Sequence, residues 1–165
     1  MSVDQTPYAV PNADLETSST KIGDFSQLPR FSAWWVFLLS VITFGIYYYI
    51  WMYKRTVVIN RICDRKIAPW LSNTVISLFI VNTLLSFYVG AVGETVDPAV
   101  DLVSLVMTVA ATILGLVWIY AIRNRLHEVG NIAKGSKYWI GGILTFFFTS
   151  IYLQYKINQV IDDSQ

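Results

Sequence analysis

The sequence predicts an all-α integral membrane protein, a helical bundle of four hydrophobic segments of which the first and last either span or re-enter. Three observations carry this. The 165 residues are 55% hydrophobic and 14% charged, above the soluble average on the first count and below it on the second. Four stretches, at residues 33–53, 71–92, 102–122 and 138–155, hold no Asp, Glu, Lys, Arg or His. About 20 such residues match the hydrocarbon core of a bilayer at a helical rise of about 1.5 Å per residue, and a chain this short has no soluble core in which to bury four of them. Third, a net charge of only +1 hides a segregation of basic and acidic loops.

Residues 1–30 form a polar tail with Pro7, Pro11 and Pro29, four acidic and two basic residues. It lacks the basic start, apolar middle and small-residue cleavage site of a secretory signal, and its composition is that of a flexible segment. Residues 31–165 form the membrane domain. Its first segment has Trp34 and Trp35 at one end and Trp51 and Tyr53 at the other, as an interfacial aromatic belt requires. Tyr47, Tyr48 and Tyr49 fit a straight span less well, because consecutive residues point in three directions around a helix. They suit a segment that bends, and Gly45 is where the bend falls.

Loop 54–70 carries Lys54, Arg55, Arg61, Arg65 and Lys66 against Asp64, and loop 123–137 carries Arg123, Arg125, Lys134 and Lys137 against Glu128. Loop 93–101 has Glu94, Asp97 and Asp101 and no basic residue. The positive-inside pattern makes the first two cytoplasmic and the third extracytoplasmic, so the middle segments form a spanning hairpin. The terminal segments stay open: their length favours spanning, whereas the charges of both tails favour re-entry. The last segment partly repeats the first at an offset of 105, which sets Trp34 on Trp139, Leu39 on Leu144, Ile46 on Ile151 and Tyr47 on Tyr152.

Small and hydroxyl residues recur at helical spacing, Ser104, Thr108, Thr112 and Gly115 in the third segment and Gly141, Thr145 and Thr149 in the fourth. Such stripes let helices approach closely in lipid, and the two faces are expected to meet. Asn82, deep in the second segment, must find a hydrogen-bond partner on a neighbouring helix.

No catalytic set can be assembled. Cys63 and His127 are the only residues of their kinds, which rules out an internal disulfide and a thiolate metal cluster from this chain alone. His127 reads as a solvated loop residue. The segments lack the ionisable residues of proton relays, and there is no phosphate loop, no nucleophile elbow and no carboxylate pair. No cofactor and no nucleic-acid partner is indicated. The basic loops do offer contact with anionic headgroups, with Arg61, Arg65, Arg123 and Arg125 as candidates.

The stretch "FSAWWVFLLSVITFGIYYYIWMYKRTVVIN" resembles the opening of a bacterial membrane family catalogued as domain of unknown function 4234, through Thr43, Gly45, Ile46, Tyr47, Trp51, Lys54 and Asn60. The ending "SIYLQYKINQ" is similar to that family's closing segment through Tyr152, Gln154 and Asn158. Separately, "TPYAVPNADL" resembles a leader found on various bacterial membrane proteins, departing from it at Thr6 and Val10. The resemblance implies the bacterial inner membrane and supplies no activity. The expected function is a non-enzymatic module that packs with copies of itself or with another membrane protein and touches inner-leaflet lipid. The alternative is a channel-like or small-molecule permeation subunit formed by oligomerisation.

Overall fold

A computed structural model describes residues 25, 27–93 and 97–164, so the tail expectation lies almost wholly outside the described residues. The described residues form five helices: α1 (Ala33–Ile42), α2 (Ile46–Ile62), α3 (Pro69–Val92), α4 (Pro98–Gly130) and α5 (Gly142–Asp163). There is no strand among the described residues. The all-α expectation holds, and of the four hydrophobic segments only the middle two are unbroken helices. Among the described residues only α3 and α4 are long and apolar enough to cross a membrane. The first segment is divided into α1 and α2, and the last is broken inside α5 at Thr149, where φ is 38° and ψ −118°.

The first break is built from the residues that carry the family resemblance. The N–H of Gly45 donates to Ser40 O at 2.7 Å and that of Phe44 to Val41 O at 3.1 Å, the paired bonds that close a helix when the chain turns left-handed. Phe44 (φ 49°) and Gly45 (φ 87°) make that turn, and glycine takes such a φ without the steric cost a Cβ brings. Thr43 then serves both helices. Its hydroxyl donates to Leu39 O at 2.6 Å and accepts from Tyr47 N at 2.9 Å. Every backbone N–H from Thr43 to Tyr48 has an acceptor, so the turn exposes no unpaired amide. Thr43→Val removes the acceptor of Tyr47 N–H, and we expect it to lower stability in detergent micelles by about 1–3 kcal/mol while Thr43→Ser has little effect; thermal unfolding of the two variants checks this.

Both breaks reverse the chain. Arg55 on α2 reaches back to Pro29 O, and the rings of Phe31 and Tyr47 lie 6.4 Å apart. Across the α5 break, Tyr152 Oη accepts from Gly141 N and Lys156 Nζ donates to Lys137 O. The positive-φ residues Phe44 and Thr149, one at each break, are separated by the same 105 positions as the sequence repeat. Two helical hairpins of like design thus flank the middle pair.

The α3–α4 pair starts at prolines. Pro69 and Pro98 occupy first helical positions, where a missing N–H costs nothing, and Asp97 caps α4 by accepting from Ala99 N at 2.8 Å. Most of this pair is bare: Ile80, Leu84 and Phe87 on α3 and Leu102, Leu105 and Val109 on α4 are exposed. Burial begins only at its base, where Leu71 and Val75 of α3 and Trp118, Ile119, Ile122 and Leu126 of α4 join Val36, Met52, Ile59, Leu153 and Ile157 in one core.

Loops and described chain ends gather at that base. Asn60 clamps the α2–α3 connection with two bonds to Ile67 (2.7 and 3.0 Å), and Asn158 makes a matching pair with the backbone of Phe31 (2.8 and 3.4 Å). Arg30 is bidentate to Asp162, Lys137 pairs with Asp163 at 2.8 Å, and Arg65 pairs with Glu128 at 3.3 Å.

Candidate functional site

The buried polar centre lies where α2 runs beside the second limb of α5. Gln154, fully buried, accepts from Trp51 Nε1 at 2.9 Å and from Arg55 Nη2 at 2.5 Å, while its amide donates to Asn158 Oδ1 at 2.8 Å. The family residues Trp51 and Asn60, like Asn158 of the closing segment, are therefore fasteners of the base. Arg55 is 3% exposed. Its Nη2 also donates to Pro29 O at 3.0 Å, and its guanidinium carbon lies 5.5 Å from the Trp51 ring centroid. No carboxylate among the described residues pairs with it, and its Nε has no partner. Burial pulls this guanidinium down to about 10, against a smaller opposing effect of Tyr47, so it is cationic at neutral pH. A buried cation without a counter-ion is expensive; the carbonyl, amide and ring contacts offset part of that cost.

A second cluster centres on Glu128 at the end of α4. Its Oε1 accepts from Arg125 Nη1 at 2.8 Å and Arg65 Nη1 at 3.3 Å, and Cys63 Sγ donates to Oε2 at 3.5 Å. Cys63 is buried and its thiol is raised above the usual range, chiefly by that burial, so it is a poor thiolate nucleophile. No group of three or more His, Cys, Asp or Glu among the described residues is placed to hold a metal ion.

His127 is not a solvated loop residue. It sits on α4, with its ring stacked on Trp139 at 4.3 Å and its Nε2 accepting from Ile140 N at 3.1 Å. The 131–140 connection folds back over it, and Arg123 fixes the same turn by donating to Ile140 O at 2.8 Å. Burial first, and then the Arg123 charge, push the imidazole down from 6.5 to about 4. A histidine depressed in the folded state stabilises above its unfolded pKa and loses that contribution as pH falls. The melting temperature should therefore drop between pH 6.5 and about 4, and His127→Gln, which offers a side-chain carbonyl acceptor, should flatten that dependence; unfolding scans over pH measure it.

The four sequence-predicted headgroup residues part company. Arg65 and Arg125 converge on Glu128, and Arg123 is held by Ile140 O, by Asn124 Oδ1 and over the Trp139 ring. Arg61 is exposed and without a partner among the described residues. The packing residues divide similarly. Ser104 and Thr108 face α3, where Ser104 Oγ donates to Asn82 Oδ1 at 3.0 Å and Asn82 Nδ2 donates to Thr108 Oγ1 at 3.1 Å. Thr112 is exposed, with its hydroxyl on Thr108 O, and Gly115 faces open space. On the last segment Gly141 lies against Tyr152, Thr145 is buried with its hydroxyl on Gly141 O, and Thr149 is the break. The two stripes are not brought face to face: α4 meets the start of α5 through Tyr120, whose hydroxyl donates to Gly142 O at 2.8 Å, and Arg123 and His127 bond to Ile140 in the connection before it. Asn82→Leu, which unfastens α3 from α4, should cost about 0.5–1.5 kcal/mol, the range of interhelical bonds in lipid, measured as stability in micelles.

The sequence marks neither Arg55 nor Gln154 as a buried polar partner, although Gln154 is among the residues that carry the family resemblance. Arg55 was counted only among the charges of a cytoplasmic loop. Gln154 lies in the fourth uncharged segment, and the logic applied to Asn82, that a deep amide must find a partner, applies to it equally.

Among the described residues, five helices, two of them candidate spans, are closed at one end by a hydrogen-bonded base and form an all-helical unit with an apolar projecting hairpin. The chain belongs to the family described as Domain of unknown function (DUF4234), which matches residues 31–128. The match takes in the first break and both Asn60 and Glu128, and stops short of the closing segment. No curated protein and no solved structure matches the chain significantly.

Proposed function

We propose that this is a non-enzymatic protein of the bacterial inner membrane, in which α3 and α4 cross the bilayer and the two broken segments re-enter from the cytoplasmic side. It serves as a packing or interaction module, with copies of itself or another membrane protein, and contacts inner-leaflet lipid. The observation that carries the reading is the common base. Both basic loops, the approach to α1 and the end of α5 are bonded together there, which suits a single cytoplasmic face under the positive-inside rule. Lengths support it. The 10 residues of α1 rise about 15 Å, half of the roughly 30 Å hydrocarbon thickness, and the fully bonded turn after it is the kind of irregular backbone lipid tolerates. The large apolar side chains left bare along α3 and α4 suit contact with lipid or a partner better than water.

One feature favours the alternative of an oligomeric permeation subunit, the polar track of Asn82, Ser104, Thr108 and Thr112 on the hairpin. These groups satisfy one another, which argues for a fastener over a wet path. Reconstitution into vesicles loaded with a fluorescent ion reporter separates the two. The module leaves the vesicles tight, whereas protein-dependent flux that Asn82→Leu alters would establish the alternative.

A further inference from the structure

On the outer side of the buried centre, a groove of about 520 Å³ runs between the Pro29–Phe31 approach and the face of α2 from Tyr47 to Arg61. Lys54, Val58 and Arg61 stand on one helical face, at i, i+4 and i+7. Lys54 and Arg61 are exposed and without partners among the described residues. Arg55 lines the same groove from within, buried and with Nε unpartnered. The remaining basic lining residue, Arg30, is already held by Asp162. No acidic residue lines the groove among the described residues, so three cations face it with no described anion to match them. The rest of the lining, Phe31, Tyr47, Trp51, Tyr53, Val57 and Val58, is aromatic or apolar.

We infer that this groove binds a phosphate group, that of an anionic phospholipid, with Lys54, Arg55 and Arg61 on the phosphodiester and the aromatic and valine side chains against the glycerol and first acyl methylenes. A guanidinium held rigid by Gln154, Pro29 O and Trp51 loses little freedom when it meets an oxyanion. An anion arriving there also supplies the counter-charge that the buried cation lacks. The apolar flank selects a lipid over a soluble phosphate, because a bare ion would leave that surface uncovered. This site deepens the membrane reading proposed above and rests on it. It replaces three of the four headgroup residues expected from sequence and keeps Arg61.

The test uses the full-length protein in a neutral detergent. The melting temperature is followed against dioctanoyl phosphatidylglycerol, dioctanoyl phosphatidylcholine and inorganic phosphate. Wild type should show a saturable rise with phosphatidylglycerol and almost none with the other two. Lys54→Gln/Arg61→Gln should keep the lipid-free melting temperature, both side chains being exposed, and lose about tenfold or more in apparent affinity, as two headgroup cations are worth. Lys66→Gln/Lys134→Gln, which removes equal charge elsewhere at the base, should leave the affinity intact. Equal loss in that control would reduce the effect to diffuse attraction and overturn the site. Equal protection by inorganic phosphate would overturn the lipid assignment, and no rise with phosphatidylglycerol would overturn the proposal altogether. None of these results bears on whether the terminal segments re-enter, which is read by accessibility from the two sides of the membrane.

Discussion

Gln154→Leu is expected to destabilise the protein by about 2–5 kcal/mol, since it takes the acceptor from two buried donors, of which only the Arg55 guanidinium keeps another, Pro29 O, and each unsatisfied group costs on the order of 1–3 kcal/mol, more when charged. The donors are Trp51 Nε1 and Arg55 Nη2, and the substitution also frees Asn158, which the Gln154 amide orients toward Phe31. The loss therefore spreads from the centre to the approach of α1. Gln154→Glu keeps an acceptor for both donors and should retain most of the stability. The most specific consequence is non-additivity. Arg55→Met/Gln154→Leu removes the stranded cation together with its acceptor, so the double variant should be more stable than Gln154→Leu alone. Unfolding in micelles by heat or denaturant ranks the three variants, and a double variant less stable than the single one would show that Arg55 is not stranded.

Trp118→Ala should cost about 3–5 kcal/mol, the usual range for emptying a large aromatic site in a core. Trp118 is fully buried, and its indole N–H donates to Thr56 Oγ1 at 2.9 Å, which ties α4 to α2. The alanine variant leaves a cavity and an unpaired hydroxyl where α4 packs on α2. Trp118→Phe refills most of the volume and lacks only the hydrogen bond, so it should lose about 1 kcal/mol beyond its smaller packing deficit. Near-equal losses for the two variants in the same unfolding assay would mean that the bond, not the packing, joins α2 to α4.

Much of the architecture was legible in the chain, for identifiable reasons. The α3–α4 pair, two helices long and apolar enough to cross a membrane, announces itself by the length of its uncharged segments, which depends only on composition. The bend at Gly45 was legible because glycine marks the left-handed turn and three tyrosines follow it. The bend at Thr149 carries no glycine, and only the offset of 105 residues pointed toward it. A β-branched residue at φ 38° is a conformation that local preference argues against and tertiary packing imposes.

The site was less legible because charge counting cannot tell an exposed cation from a buried one. Arg55 and Arg61 are six positions apart in one basic loop of the sequence, yet α2 continues through both and turns the first inward and the second outward. Arg65 and Arg125 looked alike as headgroup contacts, but the fold brings them to one carboxylate, Glu128. His127 looked solvated because nothing nearby in sequence covers it; Trp139 and Ile140 do so only after the connection folds back. The stripes on the third and fourth segments share a spacing, but hydrogen-bonding groups on α3 claimed the first of them.

The claim on which the rest depends is that both chain ends lie on the same side as the basic loops. Single cysteines at Ser18, Thr95 and Ser164, placed one at a time on a Cys63→Ser background and labelled with a membrane-impermeant maleimide in intact cells, read it directly. The account predicts that Thr95 alone is labelled from outside, and that Ser18 and Ser164 react only once the membrane is opened. Labelling of all three from outside would contradict it, making the first and last segments true spans.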